Sequence, residues 1–307
     1  MIPAEQAATL PLRFQIGART LARIDRRLWL VPLSLADALE ARLPALPPLG
    51  RTNDGYLVTS LPVERAAALA WTAGGLIAFE RQRYTRHWID LTIGADAYLA
   101  RLSGNTRSAI KRKTRKLAEA SGGTLEIARF RTPDELAAFH PLARAVSATT
   151  YQERLMDAGL PDTAAFRTRA ALQAAAGEVR AWLLSIAGTP VAYLFCPVEK
   201  GTVLYQYLGH DPAFNDLSPG AVLQMAATRD LLEEGGLQRF DFTEGEGQHK
   251  RQFATDGVPC VDLLLLRGTL ANRAALASLR VFDGGAAAAK RAVQRLGLEE
   301  WARKVRR

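Results

Sequence analysis

The sequence predicts a layered α/β protein: mixed, mostly antiparallel sheets flanked by helices, with a helical C-terminal tail. Three observations carry this. The first third alternates between strand-like apolar runs and helix-like segments. Three strand-like runs, VRAWLLSIA, PVAYLFCPV and TVLYQYLG, then follow one another across the short turns AGT and EKG, the pattern of an antiparallel meander. Downstream, the order becomes helix, strand, polar segment, strand.

Taken in order, residues 22–33 read as a strand, and residues 34–43 as a helix with Ser34 at its N-cap. A strand over 56–60, a helix over 63–71 and strands over 76–81 and 86–91 follow. Residues 106–120 read as a helix whose Ile110, Thr114, Leu117 and Ala118 share one face while bases take the rest; Gly122 and Gly123 end it. After a strand over 124–130, Thr132, Pro133 and Glu135 carry the reciprocal capping pattern of a helix start, and His140-Pro141 marks a kink site. A helix over 163–176 leads into the meander. The helix over 219–234 carries an apolar stripe of Leu223, Ala226, Ala227 and Leu231 and stops at Gly235-Gly236. Residues 237–242 and 261–267 read as strands, and the continuous apolar run of the second implies burial. From 270 onward the tail reads as helical, with Leu298, Trp301 and Val305 on one face.

The 307 residues, 48% of them hydrophobic, are enough for one large domain or two smaller ones and exclude general disorder. No apolar run approaches the roughly 20 residues of a membrane span, and MIPAEQAATLPLRF lacks the features of a signal peptide, so a cytoplasmic protein is expected. Cys196 and Cys260 each sit in an apolar run and read as buried thiols, not as a disulfide or a metal site. The net charge of +9 is local. Residues 101–116 carry seven bases and no acid, and residues 267–307 carry ten bases and three acids, which leaves the remainder net acidic. This argues for two basic surfaces and against a protein that coats nucleic acid.

Two stretches can carry chemistry. Ser218-Pro219-Gly220 opens a helix with a proline in the first turn. Its unpaired backbone N–H groups and the positive helix end make a seat for an anion, and Gly220 lets a phosphate approach closely. The second is DFTEGEGQHKRQF, residues 241–253. Asp241 ends a core strand, where an acid needs a partner or a task. Either it pairs with Lys250 to fasten the loop, or the segment lines a substrate site. By strand alternation Tyr205 and Tyr207 point to the same face. Glu244, His210 and His249 add titratable groups near the same strand ends, with Glu244 open to a solvated reading and His210 to a turn role. The basic helix admits three readings: a solvated face, a seat for an acidic acceptor through Arg107 and Lys111, or an RNA contact. The basic tail could cap the fold or rest on an anionic inner membrane surface.

The phosphate-seat helix between two strands resembles the acyl-CoA core of the GNAT N-acetyltransferases, with Asn215, Ser218 and Gly220 as a degenerate match to that family's loop. LSPGAVL followed by DFTEGEGQHKRQF is similar to the BioF2-like/CelD branch, associated with polysaccharide biosynthesis, and to the FemAB peptidyltransferases, which are built from two GNAT-like units. The resemblance covers roughly residues 60–267. Thr243 stands where that pattern has its first glycine, and His249 where it has a tyrosine. The resemblance implies tandem GNAT-like units, with an N-terminal half over 1–140, an acyl-CoA-binding domain over 141–268 and a basic tail over 269–307. It implies an acyl-CoA donor, acetyl-CoA or another, held by Leu208, Gly209, Asn215, Ser218, Gly220 and Ala221, and no metal. It implies an amine acceptor, such as a saccharide, near Tyr151, Tyr207, Lys250, Arg107 and Lys111, with Asp241, Tyr205, His249 and Glu244 as catalytic candidates. The alternatives are an aminoacyl-tRNA-dependent transferase of the FemAB kind and a GNAT-like module that binds without turnover.

Overall fold

The structure, a computed structural model, describes residues 7–16, 19–150, 153, 159–245 and 247–295. In chain order its elements are β1 (Ala8–Ile16), β2 (Arg19–Pro32), α1 (Leu35–Leu39), β3 (Gly55–Pro62), α2 (Ala66–Thr72), β4 (Leu76–Asp90), α3 (Ala95–Arg101), α4 (Gly104–Ala120), β5 (Glu126–Phe130), α5 (Pro133–Thr149), α6 (Ala164–Ala175), β6 (Val179–Ile186), β7 (Thr189–Glu199), β8 (Thr202–Leu204), β9 (Tyr207–His210), α7 (Pro219–Glu234), β10 (Arg239–Asp241), α8 (Gln248–Phe253), β11 (Asp256–Arg267) and α9 (Leu270–Arg295). The predicted residues Leu298, Trp301 and Val305 lie outside the described residues. Among those described, no helix is long and apolar enough to cross a membrane, and no group of three His, Cys, Asp or Glu side chains is placed to hold a metal ion.

The chain forms two compact units, Met1–Tyr84 with Val258–Arg307, and Thr85–Gly257. This division differs from the segments 1–140, 141–268 and 269–307 drawn on the sequence. The reason is β4, predicted as two strands and folded as one. Its polar middle conceals a period of two, in which Tyr84, Arg86 and Trp88 are buried. The last residues of β4 pair with β10, so residues 85–257 pack with the meander.

In the first unit the strands run β1-β2-β3-β11-β4, with β2 and β3 parallel. Leu264 and Leu266 of β11 face one core with Leu276 and Leu279 of α9, while Leu263 and Leu265 face another with Leu69 of α2. The continuous apolar run of β11 is thus buried, as predicted, and on both faces. Helix α1 is shorter than expected: Ser34 and Asp37 complete a capping box at its start, but Ala41 turns left-handed at φ 49°.

In the second unit the order is β4-β10-β8-β7-β6-β5, with β9 also on β7. All pairs are antiparallel except β10 with β8. Alternate residues of the meander feed two cores. Trp182, Leu184, Leu194 and Cys196 meet Val222, Leu223, Ala227 and Leu231 of α7 on one face. Ala181, Leu183, Tyr193 and Phe195 meet Phe139 of α5 and Phe166 of α6 on the other. Helix α5 carries the predicted capping box of Thr132 and Glu135 and continues through Pro141.

Candidate active site

The third strand of the meander is not continuous. Val203 pairs with Val198 and Tyr207 with Phe195, which sets Leu204, Tyr205 and Gln206 opposite Cys196 and Pro197. The cause lies in Pro197. Val198 N–H turns toward β6, where it donates to Glu178 O at 2.8 Å. Alternation therefore directs the neighbouring position, Pro197, toward β8, and proline has no N–H to give. The ladder breaks there and a bulge forms. The bulge overturns the expectation that Tyr205 and Tyr207 share a face. Tyr205 packs on the α7 side, 5.7 Å from Phe240 and 5.5 Å from Phe242, ring centre to ring centre. Tyr207 packs on the α5–α6 side, 5.8 Å from Phe166 and 6.2 Å from Phe195. A cavity of about 620 Å³ lies on that second face, with Phe166 and Phe195 in its wall.

The bulge also parts two strands. Tyr205 N–H donates to Asp241 O at 2.9 Å beyond the last β8–β10 pair, Leu204 with Asp241. From there β9 stays with β7, whereas Phe242 N–H turns to His87 O at 2.9 Å on β4. A crevice opens between β9 and the chain leaving β10. Because Tyr207 and Gly209 turn to β7, alternation places the Leu208 N–H and C=O on the open edge. Gly209 is needed for another reason: a Cβ there would come within 2.4 Å of the Tyr193 ring.

The start of α7 stands at the mouth of this crevice. Ser218 is the N-cap in a left-handed conformation, φ 54° and ψ 48°, and its side chain makes no capping hydrogen bond. Its carbonyl accepts from Ala221 N–H at 3.1 Å and Val222 N–H at 3.3 Å. A Cβ on Gly220 would lie 3.3 Å from His210 Nδ1 and 3.8 Å from Leu208 Cδ2. The bare glycine therefore leaves a narrow cradle beside β9. His210 is held by Asn215, Nε2 to Oδ1 at 2.8 Å, so it shapes the loop, and Lys116 of α4 donates to Asp216 O at 3.0 Å. The basic helix thus sits against the loop, with Arg107 and Lys111 exposed.

Asp241 is fully buried and paired with Arg86 of β4, Oδ1 to Nε at 3.1 Å and Oδ2 to Nη2 at 2.5 Å. Oδ1 also accepts from Thr243 N–H at 2.8 Å. This corrects the expected partner. Lys250 Nζ instead donates to Glu244 O at 2.5 Å and Gly245 O at 3.3 Å, so the loop is fastened by two cations. Thr243 adopts φ 59°, a left-handed position that suits the glycine of the resembling pattern. Glu244 is exposed.

His249 opens α8 and its ring lies 6.3 Å from that of Tyr205. It keeps an open side to solvent, yet loss of water around the ring, followed by the charge of Lys250, holds its pKa below the ordinary histidine value. Burial pushes the Tyr205 hydroxyl well up, so it stays protonated; Tyr207 is shifted the same way, burial again leading. The Tyr205 hydroxyl donates to Gln224 Oε1 at 3.4 Å.

The structure therefore brings Tyr205, Leu208, Gly220, Asp241 and His249 to one crevice and its rim. It sets Tyr207 on the opposite face and Arg107 and Lys111 on the helix beside the loop. Tyr151 lies outside the described residues. Sequence reasoning missed Arg86, whose only cue was a base within an alternating strand, and Gln224, an amide among the apolar residues of α7. It also missed Pro197 as a strand breaker.

Comparison with known proteins matches residues 104–251 to the family described as acetyltransferase (GNAT) domain. Among curated proteins none matches the chain. Among solved structures, the C-terminal domain of a protein assigned as a lysylphosphatidylglycerol synthetase from Agrobacterium fabrum is 13% identical, covering 75% of this chain and 72% of that one, with a TM-score of 0.50. FemX is 10% identical over 85% of this chain and 88% of that one, at 0.49. A GCN5-related N-acetyltransferase from Kribbella flavida is 17% identical over 71% of each chain, at 0.39. At these identities, likeness speaks to fold alone. The family match supports a GNAT acyltransferase-type domain over residues 104–251.

Proposed function

We propose that this chain, through its GNAT acyltransferase-type domain, moves an acyl group from acyl-CoA to an amine acceptor. One observation carries the reading: β9 parts from β10 at a bulge directly beside the glycine start of α7. That arrangement joins an anion seat to an open strand edge, the two features that a diphosphate with an extended amide-bearing arm requires. The Gly220 cradle fits the group because any side chain there would fill the space beside His210 and Leu208 at the helix start.

The donor supplies the activated acyl group as a thioester. Gly220 at the positive end of α7 would hold its diphosphate, and the Leu208 backbone would pair with its arm. Proximity then does much of the work. The acceptor amine must be neutral to attack. His249, its pKa lowered by loss of water around the ring and by Lys250, would take the amine's proton at its ring nitrogen. As the new C–N bond forms, the thioester C–S bond breaks, and the coenzyme leaves as a thiolate that takes up the proton lost by the amine; Tyr205, kept protonated by burial, can only donate. The acceptor proposed is a sugar amine or a polysaccharide precursor.

The sign of the pH dependence follows. A lowered pKa means the proton-accepting form of His249 dominates above it, so its limb of kcat/KM should rise with pH through an apparent pKa below the ordinary histidine value. In His249→Gln that limb should vanish. A rate–pH profile of the two proteins checks this, and an unchanged acid limb would remove His249 from the mechanism.

A second reading has its own observation. Lys116 reaches the loop, and the exposed bases of α4 stand beside it, as an aminoacyl-tRNA donor would need. Calorimetric titration with CoA and with bulk tRNA separates the two. Saturable CoA binding that survives 0.2 M salt is expected. Binding of tRNA alone, lost steeply with salt, would replace the proposal, and binding of neither would leave a GNAT-like module without this donor.

A further inference from the structure

We propose that Gln224 recognises the donor's arm: its carboxamide N–H donates to an amide carbonyl in the chain that links the diphosphate to the thioester. This rests on the acyl-CoA reading above. Gln224 is only 3% exposed, and its Nε2 has no hydrogen-bond partner among the described residues. A buried donor left without an acceptor is costly, so it marks a place where a group from outside the protein completes the hydrogen bonding.

The position identifies that group. Gln224 follows Gly220 by four residues, which places both on one face of α7, about 6 Å apart along the axis. Gly220 faces His210 and Leu208 of β9, and Gln224 faces Tyr205 at the bulge. The helix face and the strand therefore run side by side from the anion seat to the point where β8 and β10 separate. Gln224 stands at the inner end of that path, one helical turn beyond the seat. Its Oε1 is already engaged by the Tyr205 hydroxyl, so the atom left over is a donor, and its complement is a carbonyl oxygen. The ligand class is a diphosphate whose extension carries an amide carbonyl about one helical turn away. A diphosphate without that extension cannot satisfy Gln224.

The test uses binding by the ligand-free protein, with CoA and with ADP, which has a diphosphate and no arm. Gln224→Leu keeps the bulk and removes both polar atoms. It is expected to weaken CoA about tenfold and to leave ADP unchanged. Its melting temperature should change little, because loss of the orphaned donor is set against a Tyr205 hydroxyl left without its acceptor. Gln224→Glu puts a carboxylate where the amide N–H stood, so it should weaken CoA as well. Unchanged CoA affinity in Gln224→Leu or Gln224→Glu would overturn the proposal. So would an equal loss for CoA and ADP, which would make Gln224 a support of the helix start. If the wild-type protein binds neither ligand, the acyl-CoA reading falls first, and the two failures remain distinguishable.

Discussion

Replacing Asp241 with alanine is expected to destabilise the second unit by about 3–5 kcal/mol, because it takes a bidentate carboxylate from the buried Arg86 guanidinium. Both partners are almost fully enclosed, at 0% and 5% exposure, and the carboxylate meets the guanidinium through both oxygens. Removing the carboxylate takes two charge-assisted hydrogen bonds from a guanidinium that stays desolvated, which costs more than the pair contributes when intact. The carboxylate also holds Thr243 N–H, so the left-handed turn into the polar loop loses its anchor. Urea unfolding followed by circular dichroism checks this as a lower midpoint at unchanged slope. A loss below about 1 kcal/mol would mean that Arg86 is satisfied by other groups. Asp241→Asn adds a discrimination: a base role would cost kcat at retained stability, whereas fastening the loop would cost stability with kcat per folded molecule retained.

The second large effect is on binding. Gly220→Glu is expected to weaken CoA by about 100-fold or more, since a carboxylate would occupy the seat of the diphosphate at the positive helix end. The side chain must also enter a cradle where its Cβ would already press on His210 at 3.3 Å. An acid in the first helical turn is favourable to the helix dipole, so the melting temperature should change little. Calorimetry beside a thermal melt separates the two quantities. CoA affinity within a few-fold of wild type would show that the phosphate lies elsewhere.

Much of this was legible because it is local. A cap is a bond between residues three apart, so Ser34 with Asp37 and Thr132 with Glu135 show in the chain itself. The start of α7 at Ser218-Pro219-Gly220 and the buried apolar run of β11 belong to the same class. The faces of Tyr205 and Tyr207 were misassigned because strand alternation assumes an unbroken ladder, and Pro197 on a neighbouring strand breaks it.

Sequence alone therefore determined the layered α/β class, most element positions and the glycine start of the helix that carries the candidate anion seat. Each depends on periodicity or on hydrogen bonds spanning a few residues. Tertiary structure alone decided that Asp241 meets Arg86, 155 positions away, that the bulge sends two nearby tyrosines to opposite faces, and that the Gln224 amide is enclosed beside Tyr205. Those outcomes follow from which strands become neighbours, and burial then obliges each enclosed polar group to find its partner across the sheet.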